Sequence, residues 1–191
     1  NENYKVRLAC ADALGKIGDK YAVAPLIDLM QDEEEKSVYL KESAVSALGI
    51  LGDSRAVDPL VSILEAKQGF LDKFSFLKER VIEALGKLNI NSSKINKALK
   101  QSLYDVSPMV RINAIEAIMN SDEEDAADTI RPCLNDDDKE VKKNALIALY
   151  NLEGRDILDE VLTKSEYSDD LKTEAMNLIE EYENGEDEDE E

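Results

Sequence analysis

Val6-Arg7-Leu8-Ala9-Cys10-Ala11-Asp12-Ala13-Leu14-Gly15-Lys16-Ile17-Gly18-Asp19 is the stretch on which the fold turns. Val6, Cys10, Ala11 and Leu14 stand three or four residues apart, the spacing that gathers side chains on one stripe of an α-helix. Its core, Ala13-Leu14-Gly15, returns as Ala47-Leu48-Gly49 and as Ala84-Leu85-Gly86. Weaker copies centre on Ile118, Leu149 and Ile179, so six segments succeed one another at intervals of 30 to 37 residues. A period of that length marks a stack of helical units, each hiding its apolar face against its neighbours.

The columns of this repeat have physical meanings. Eight residues before the anchor stand Val6, Leu40, Leu77, Val110, Val141 and Leu171; four before stand Cys10, Ala44, Val81, Ala114, Ala145 and Ala175. The position just before the anchor is Ala in five of the six copies, and a small side chain there lets a neighbouring helix come within about 8–10 Å. This segment is the first helix, A, of each pair. A second helix, B, follows: Ala22-Val23-Ala24-Pro25-Leu26-Ile27 and Ala56-Val57-Asp58-Pro59-Leu60-Val61 are near-copies. Between A and B, Gly18 and Gly52 suit the left-handed conformation that ends a helix, Asp19 and Asp53 suit the cap of the next, and Pro25 and Pro59 suit its first turn. In the fourth repeat Pro132 falls inside helix B, where it clashes with the carbonyl of Asp128; a kink or an early end is predicted there.

The predicted architecture is therefore all-α, an α-solenoid or superhelix of about five helix pairs closed by a C-terminal capping helix. That last copy has Leu171, Ala175, Met176 and Ile179 on one stripe, acids at Glu174, Glu180, Glu181 and Glu183, and no B helix after it. The solenoid is expected over residues 1–183, with an acidic disordered tail over 184–191; Glu180 to Glu191 holds nine acids and no base. The chain opens on Asn1 and enters a helical pattern almost at once, which reads as a fragment of a longer protein whose earlier repeats are missing.

Val6 to Asp19 resembles the phycobilisome-lyase-type HEAT-like repeat. The likeness is strong for the first two repeats, fair for the third and weak for the last three, where Met119 and Tyr150 stand in place of the glycine. It implies a superhelical scaffold with B helices on the concave face and A helices on the convex face. That broad group includes bilin lyase subunits, deoxyhypusine hydroxylases, DNA alkyl-base glycosylases and scaffolds. The hydroxylase needs His-Glu iron ligands, and this chain has no His. The glycosylase needs a basic groove, whereas 43 acids against 23 bases give a net charge of −20.

The same charge repels nucleic acid and anionic membrane surfaces, and no apolar run reaches the roughly 20 residues a membrane helix requires. Cys10 and Cys133 have no metal-ligand partners and, three stacking steps apart, are predicted reduced. Asp136-Asp137-Asp138 lacks the Gly and distal Glu of a calcium loop, and Asn91-Ser92-Ser93 reads as a turn before a helix. No catalytic constellation, metal site or cofactor is expected, and the location expected is cytoplasmic. The function expected is a non-enzymatic scaffold that binds another protein through its concave face. A bilin-lyase-like subunit handling a chromophore or small ligand is the alternative, and nucleic acid binding or repair the second.

Two clusters are candidate partner-binding residues. Residues 67–100 hold eight bases against three acids, and Lys94, Lys97 and Lys100 recur along the third B helix, suited to an acidic partner segment or to balancing neighbouring acids. Phe70, Phe74 and Phe76, the chain's three phenylalanines, precede the third A helix, either as interface anchors or as a roof over the core. Seven residues before each anchor stands a base: Arg7, Lys41, Lys78, Arg111, Lys142 and Lys172. A cation gains nothing at a helix N-terminus, so acids of the inter-repeat loops are its expected partners, in exposed pairs.

Overall fold

The computed structural model describes residues 3–66, 75–88, 90, 92–121 and 123–186. Five helix pairs follow one another: α1 (Tyr4–Ile17) with α2 (Val23–Gln31), α3 (Val38–Leu51) with α4 (Val57–Glu65), α5 (Ser75–Lys87) with α6 (Ser93–Ser102), α7 (Pro108–Met119) with α8 (Ala126–Ile130), and α9 (Lys139–Glu153) with α10 (Asp156–Thr163). A single helix, α11 (Asp169–Glu186), follows. No strand occurs among the described residues. The fold is an all-α solenoid of repeated helix pairs, and its chain divides into two compact units, Asn1–Ala117 and Ile118–Glu191.

The turn within each pair has a local cause. Gly18 and Gly52 end α1 and α3 at φ of 78° and 62°, a conformation that side chains with a Cβ resist. Asp19 and Asp53 follow, accepting hydrogen bonds from the backbone N–H of Tyr21 (2.9 Å) and Arg55 (3.0 Å). These caps open a single 3₁₀ turn, Lys20–Ala22 or Ser54–Ala56, before the B helix proper begins. Pro25 and Pro59 therefore lie at the third helical position, where no backbone donor is needed. Arg55 also grips the Asp53 carboxylate from its side chain, at 2.8 Å from Nε, and holds that carboxyl well below the ordinary aspartate range.

Pro132 acts as the sequence predicts. The α-helical ladder of α8 stops at Ile130, and residues Arg131–Asn135 continue as a 3₁₀ helix. A 3₁₀ segment uses i→i+3 bonds, so the ring no longer meets the carbonyl four residues back.

The core is the repeated stripe. In the first unit α3 packs between α1 and α5, with α2 and α4 beneath; in the second α9 packs on α8, α10 and α11. Leu40, Ala44, Val45 and Leu48 of α3 are fully buried, as are Val141, Ala145, Leu146 and Leu149 of α9. The end copies differ: Val6 and Cys10 of α1 and Met176 of α11 are exposed. Neither cysteine is in a disulfide.

The glycine of the anchor is a contact residue. A Cβ built on Gly15 would lie 2.9 Å from the Cα of Ala47, and one on Gly49 would lie 2.9 Å from the Cα of Ala84. The helices α1 and α3 thus each lay a glycine on the alanine of the next A helix. At Gly86 nothing lies within 4 Å of such an atom, so this contact is absent there.

Four of the six residues of the basic column make bonds of two kinds. Arg7 reaches forward to Glu35 (2.6 Å) and Lys78 to Asp105 (2.5 Å), each acid lying in the loop before the next A helix. Lys41 and Arg111 instead donate to main-chain carbonyls of the loop before their own helix, Asp32 (2.6 Å) and Asp105 (2.8 Å). Asp105 meanwhile accepts from the Ser107 N–H at 3.0 Å. The Lys78–Asp105 pair corrects the expectation of exposed rungs, since both side chains are largely buried, at 6% and 11% exposure. Asp105→Ala leaves a buried ammonium alone and should lower the unfolding free energy by about 3 kcal/mol in urea titration. Lys143→Ala, at the half-exposed pair with Glu174, should lower it by less than ~1 kcal/mol.

Candidate functional site

The candidate lysines lie on α6, whose N-cap Ser92 accepts the N–H of Lys94 at 3.3 Å. Steps of three residues turn each side chain by about 60° from the last, so the three fan around the helix and do not form one straight row. Ile95, Ala98 and Leu99 occupy the buried side. Lys94 is committed to Asp58 of α4 at 2.7 Å, a pair bridging adjacent B helices, and that bond raises its pKa. Lys100 is half-buried, whereas Lys97 is exposed and makes no ion pair among the described residues.

Phe70 and Phe74 lie outside the described residues. Phe76 stands in the first turn of α5 and is 66% exposed, so it roofs no core. It faces a groove of about 510 Å³, half-open to solvent and lined by Val38, Tyr39, Glu42, Phe76, Glu79, Arg80, Glu83 and Asn113. The lining comes from the A helices α3, α5 and α7, and none of the three lysines of α6 touches it. Phe76 and the lysines of α6, which adjoin in sequence, thus do not line one groove.

Tyr39, 71% exposed, and Phe76 occupy equivalent repeat positions, nine residues before Leu48 and Leu85. Between them the carboxylates are unequal. Glu83 is paired with Arg80 and, at 2.5 Å, with Lys87; above all the Lys87 bond holds its carboxyl below the usual glutamate range. Glu79 has the opposite shift, because burial pushes its carboxyl up by more than the Arg80 charge pulls it down, and the charge of Glu42 adds to the rise. Neither Glu42 nor Glu79 is in an ion pair among the described residues.

The second unit holds a polar cluster that sequence reading misses. Arg131, in the 3₁₀ segment, binds Glu153 of α9 at 2.6 and 2.7 Å and Glu160 of α10 at 2.9 Å. Glu160 also accepts from Lys164 (2.9 Å) and from the Tyr167 hydroxyl (3.0 Å). Tyr167 is buried, and that burial raises its phenol pKa. The pattern is an ion-pair clamp joining the fourth and fifth repeats. Among the described residues, no group of three His, Cys, Asp or Glu side chains could hold a metal ion, and no helix is long and apolar enough to cross a membrane.

The sequence profile described as HEAT repeats matches residues 1–75, 70–150 and 96–178. Among solved structures, the CpcE–CpcF complex of phycocyanin lyase from Nostoc sp. PCC7120 is similar at 24% identity and a TM-score of 0.62, over 92% of this chain and 70% of that one. A designed armadillo repeat protein is similar at 18% identity and a TM-score of 0.51, over 94% of both chains. An engineered protein is similar at 18% identity and a TM-score of 0.53, over 97% of this chain and 93% of that one. No curated protein matches in sequence.

The Glu160 clamp predicts a pH signature. The Lys164 bond, with help from Tyr167 and Arg131, holds the Glu160 carboxyl below its ordinary value of 4.5, so its stabilisation is full above that pH and fades in more acid solution. Arg131→Ala should therefore lower the melting temperature at neutral pH, and the gap to wild type should narrow as the pH falls below 4.5. Melting curves by circular dichroism across that range measure it.

Proposed function

The chain belongs to the HEAT-repeat family, and on that premise we propose that it is a non-enzymatic scaffold whose B-helix side, the concave face in the resemblance drawn above, binds another protein. A stack of helix pairs presents side chains in rows over a long surface, which suits extended partners better than small substrates. One observation carries the choice of side. Lys97 stands exposed without a partner among the described residues, on a chain of net charge −20 in which Lys94 beside it is already bound to Asp58. An acidic segment of a partner supplies the missing counter-charge at Lys97.

A second reading, a subunit that handles a chromophore or other small ligand, draws on the likeness to the phycocyanin lyase complex. Such a role favours an apolar, largely enclosed pocket of at least roughly 300 Å³. The groove beside Phe76 has the volume, but it is half-open and carries Glu42, Glu79 and Glu83. The scaffold reading is the better supported of the two. Nucleic acid binding is opposed by the charge.

Quantitative affinity capture with wild type and Lys97→Glu tests the proposal, with circular dichroism confirming that both are folded. Proteins retained by wild type should fall about tenfold or more on the variant, the loss of roughly 1.4 kcal/mol of binding. Equal retention overturns the lysine contact, and no specific retention by wild type overturns the scaffold role.

A further inference from the structure

We propose that the groove between α3 and α5 is a second docking site, one that takes an arginine- or lysine-bearing segment of a partner protein, its cation seated between Tyr39 and Phe76 over Glu42 and Glu79. The observations behind it are independent of the lysines of α6, which do not line the groove.

The walls come first. Tyr39 and Phe76 are large aromatic residues left 71% and 66% exposed on adjacent, directly packed A helices. Neighbouring helix axes lie about 8–10 Å apart, and a cation is attracted to a ring from within about 6 Å of its centre, so one cationic group reaches both rings. An apolar occupant also suits two aromatic walls, and the floor decides between them. Glu42 and Glu79 line the same groove and are in no ion pair among the described residues. The bases nearby are spent, since Arg80 and Lys87 both bind Glu83. Two like charges thus share a partly desolvated groove without an ion pair of their own; burial pushes the Glu79 carboxyl up, the Arg80 charge offsets part of that, and the Glu42 charge adds to it.

A bound cation removes that repulsion and gains ring contacts at once. An apolar side chain would bury the carboxylates further without compensation. An acidic segment, this chain's own 184–191 included, would add repulsion. Arginine is the better fit, because its planar guanidinium stacks on a ring while offering donors to carboxylates at its edge. Asn113, which also lines the groove, adds a side-chain amide.

Fluorescence anisotropy with labelled peptides tests this on the whole chain. The probe is a peptide of about ten residues with Arg at every third position in a Ser-Gly background, at about 0.15 M salt to screen long-range attraction. Matched peptides carry Leu or Glu in place of Arg. The Arg peptide should bind, the Leu peptide at least about tenfold more weakly, and the Glu peptide not at all. Glu42→Gln with Glu79→Gln should weaken binding about tenfold or more, and so should Tyr39→Ala and Phe76→Ala, with melting curves confirming the fold. Asp28→Asn with Glu65→Gln removes two exposed charges from α2 and α4, away from the groove, and should change affinity less than about threefold. The proposal is overturned by equal loss in that control pair, by equal binding of the Leu peptide, or by no binding of the Arg peptide. It is overturned as well if sedimentation shows a dimer that Phe76→Ala dissolves, since a second copy would then be the occupant.

Discussion

The first unit depends on how closely its A helices approach. Gly15 lies on Ala47 and Gly49 on Ala84, with no room for a Cβ between them. At that distance the larger members of the stripe, Leu40, Val45 and Leu48 on α3 and Val81, Ile82 and Leu85 on α5, close into one buried layer. The same approach has a consequence at the surface. Residues at equivalent positions of successive helices become lateral neighbours, so Tyr39 meets Phe76 and Glu42 meets Glu79 across one groove. The repeat thereby turns a sequence separation of 37 residues into a shared site.

Glycine is lost from the motif after the third copy, and the means of holding repeats together changes with it. Met119 and Tyr150 stand at the glycine position, and the second unit begins at Ile118. There the fourth and fifth repeats are joined by the Arg131 clamp to Glu153 and Glu160, a polar link between a shortened B helix and its neighbours. Pro132 fits this arrangement, since the 3₁₀ segment that it imposes also carries Arg131. In the first unit the loop contacts are made by the basic column, with Lys78 and Asp105 the most deeply placed pair.

Much of this was legible in the residues. The apolar stripe, the glycines that end α1 and α3, the aspartates that cap the next turn and the break at Pro132 each follow from local rules, and each is where the sequence placed it. The 3₁₀ entry into α2 and α4 was not, because it is a detail of one turn that caps of either kind would satisfy. The groove escaped for a different reason. The repeat position of its two aromatic residues reads Tyr39 and Phe76 and then changes to Met109 and Glu140, so residue type does not repeat and only the lateral packing of α3 on α5 joins the two. The lysines of α6 show the reverse error. Their spacing was visible, but the tie from Lys94 to Asp58 comes from an adjacent helix, and the turn of the helix spreads the three apart. Burial of Lys78 likewise depends on a loop from the next repeat.

The most direct test of the close-approach account compares two glycine-to-alanine substitutions by urea unfolding. Gly49→Ala sets a Cβ 2.9 Å from the Ala84 backbone and should destabilise the protein by about 1–3 kcal/mol, despite the better helix propensity of alanine. Gly86→Ala has open space around it and should be neutral or stabilising by up to ~1 kcal/mol. Equal stability of the two variants would contradict the claim that glycine-on-alanine contact sets the stacking of the first unit.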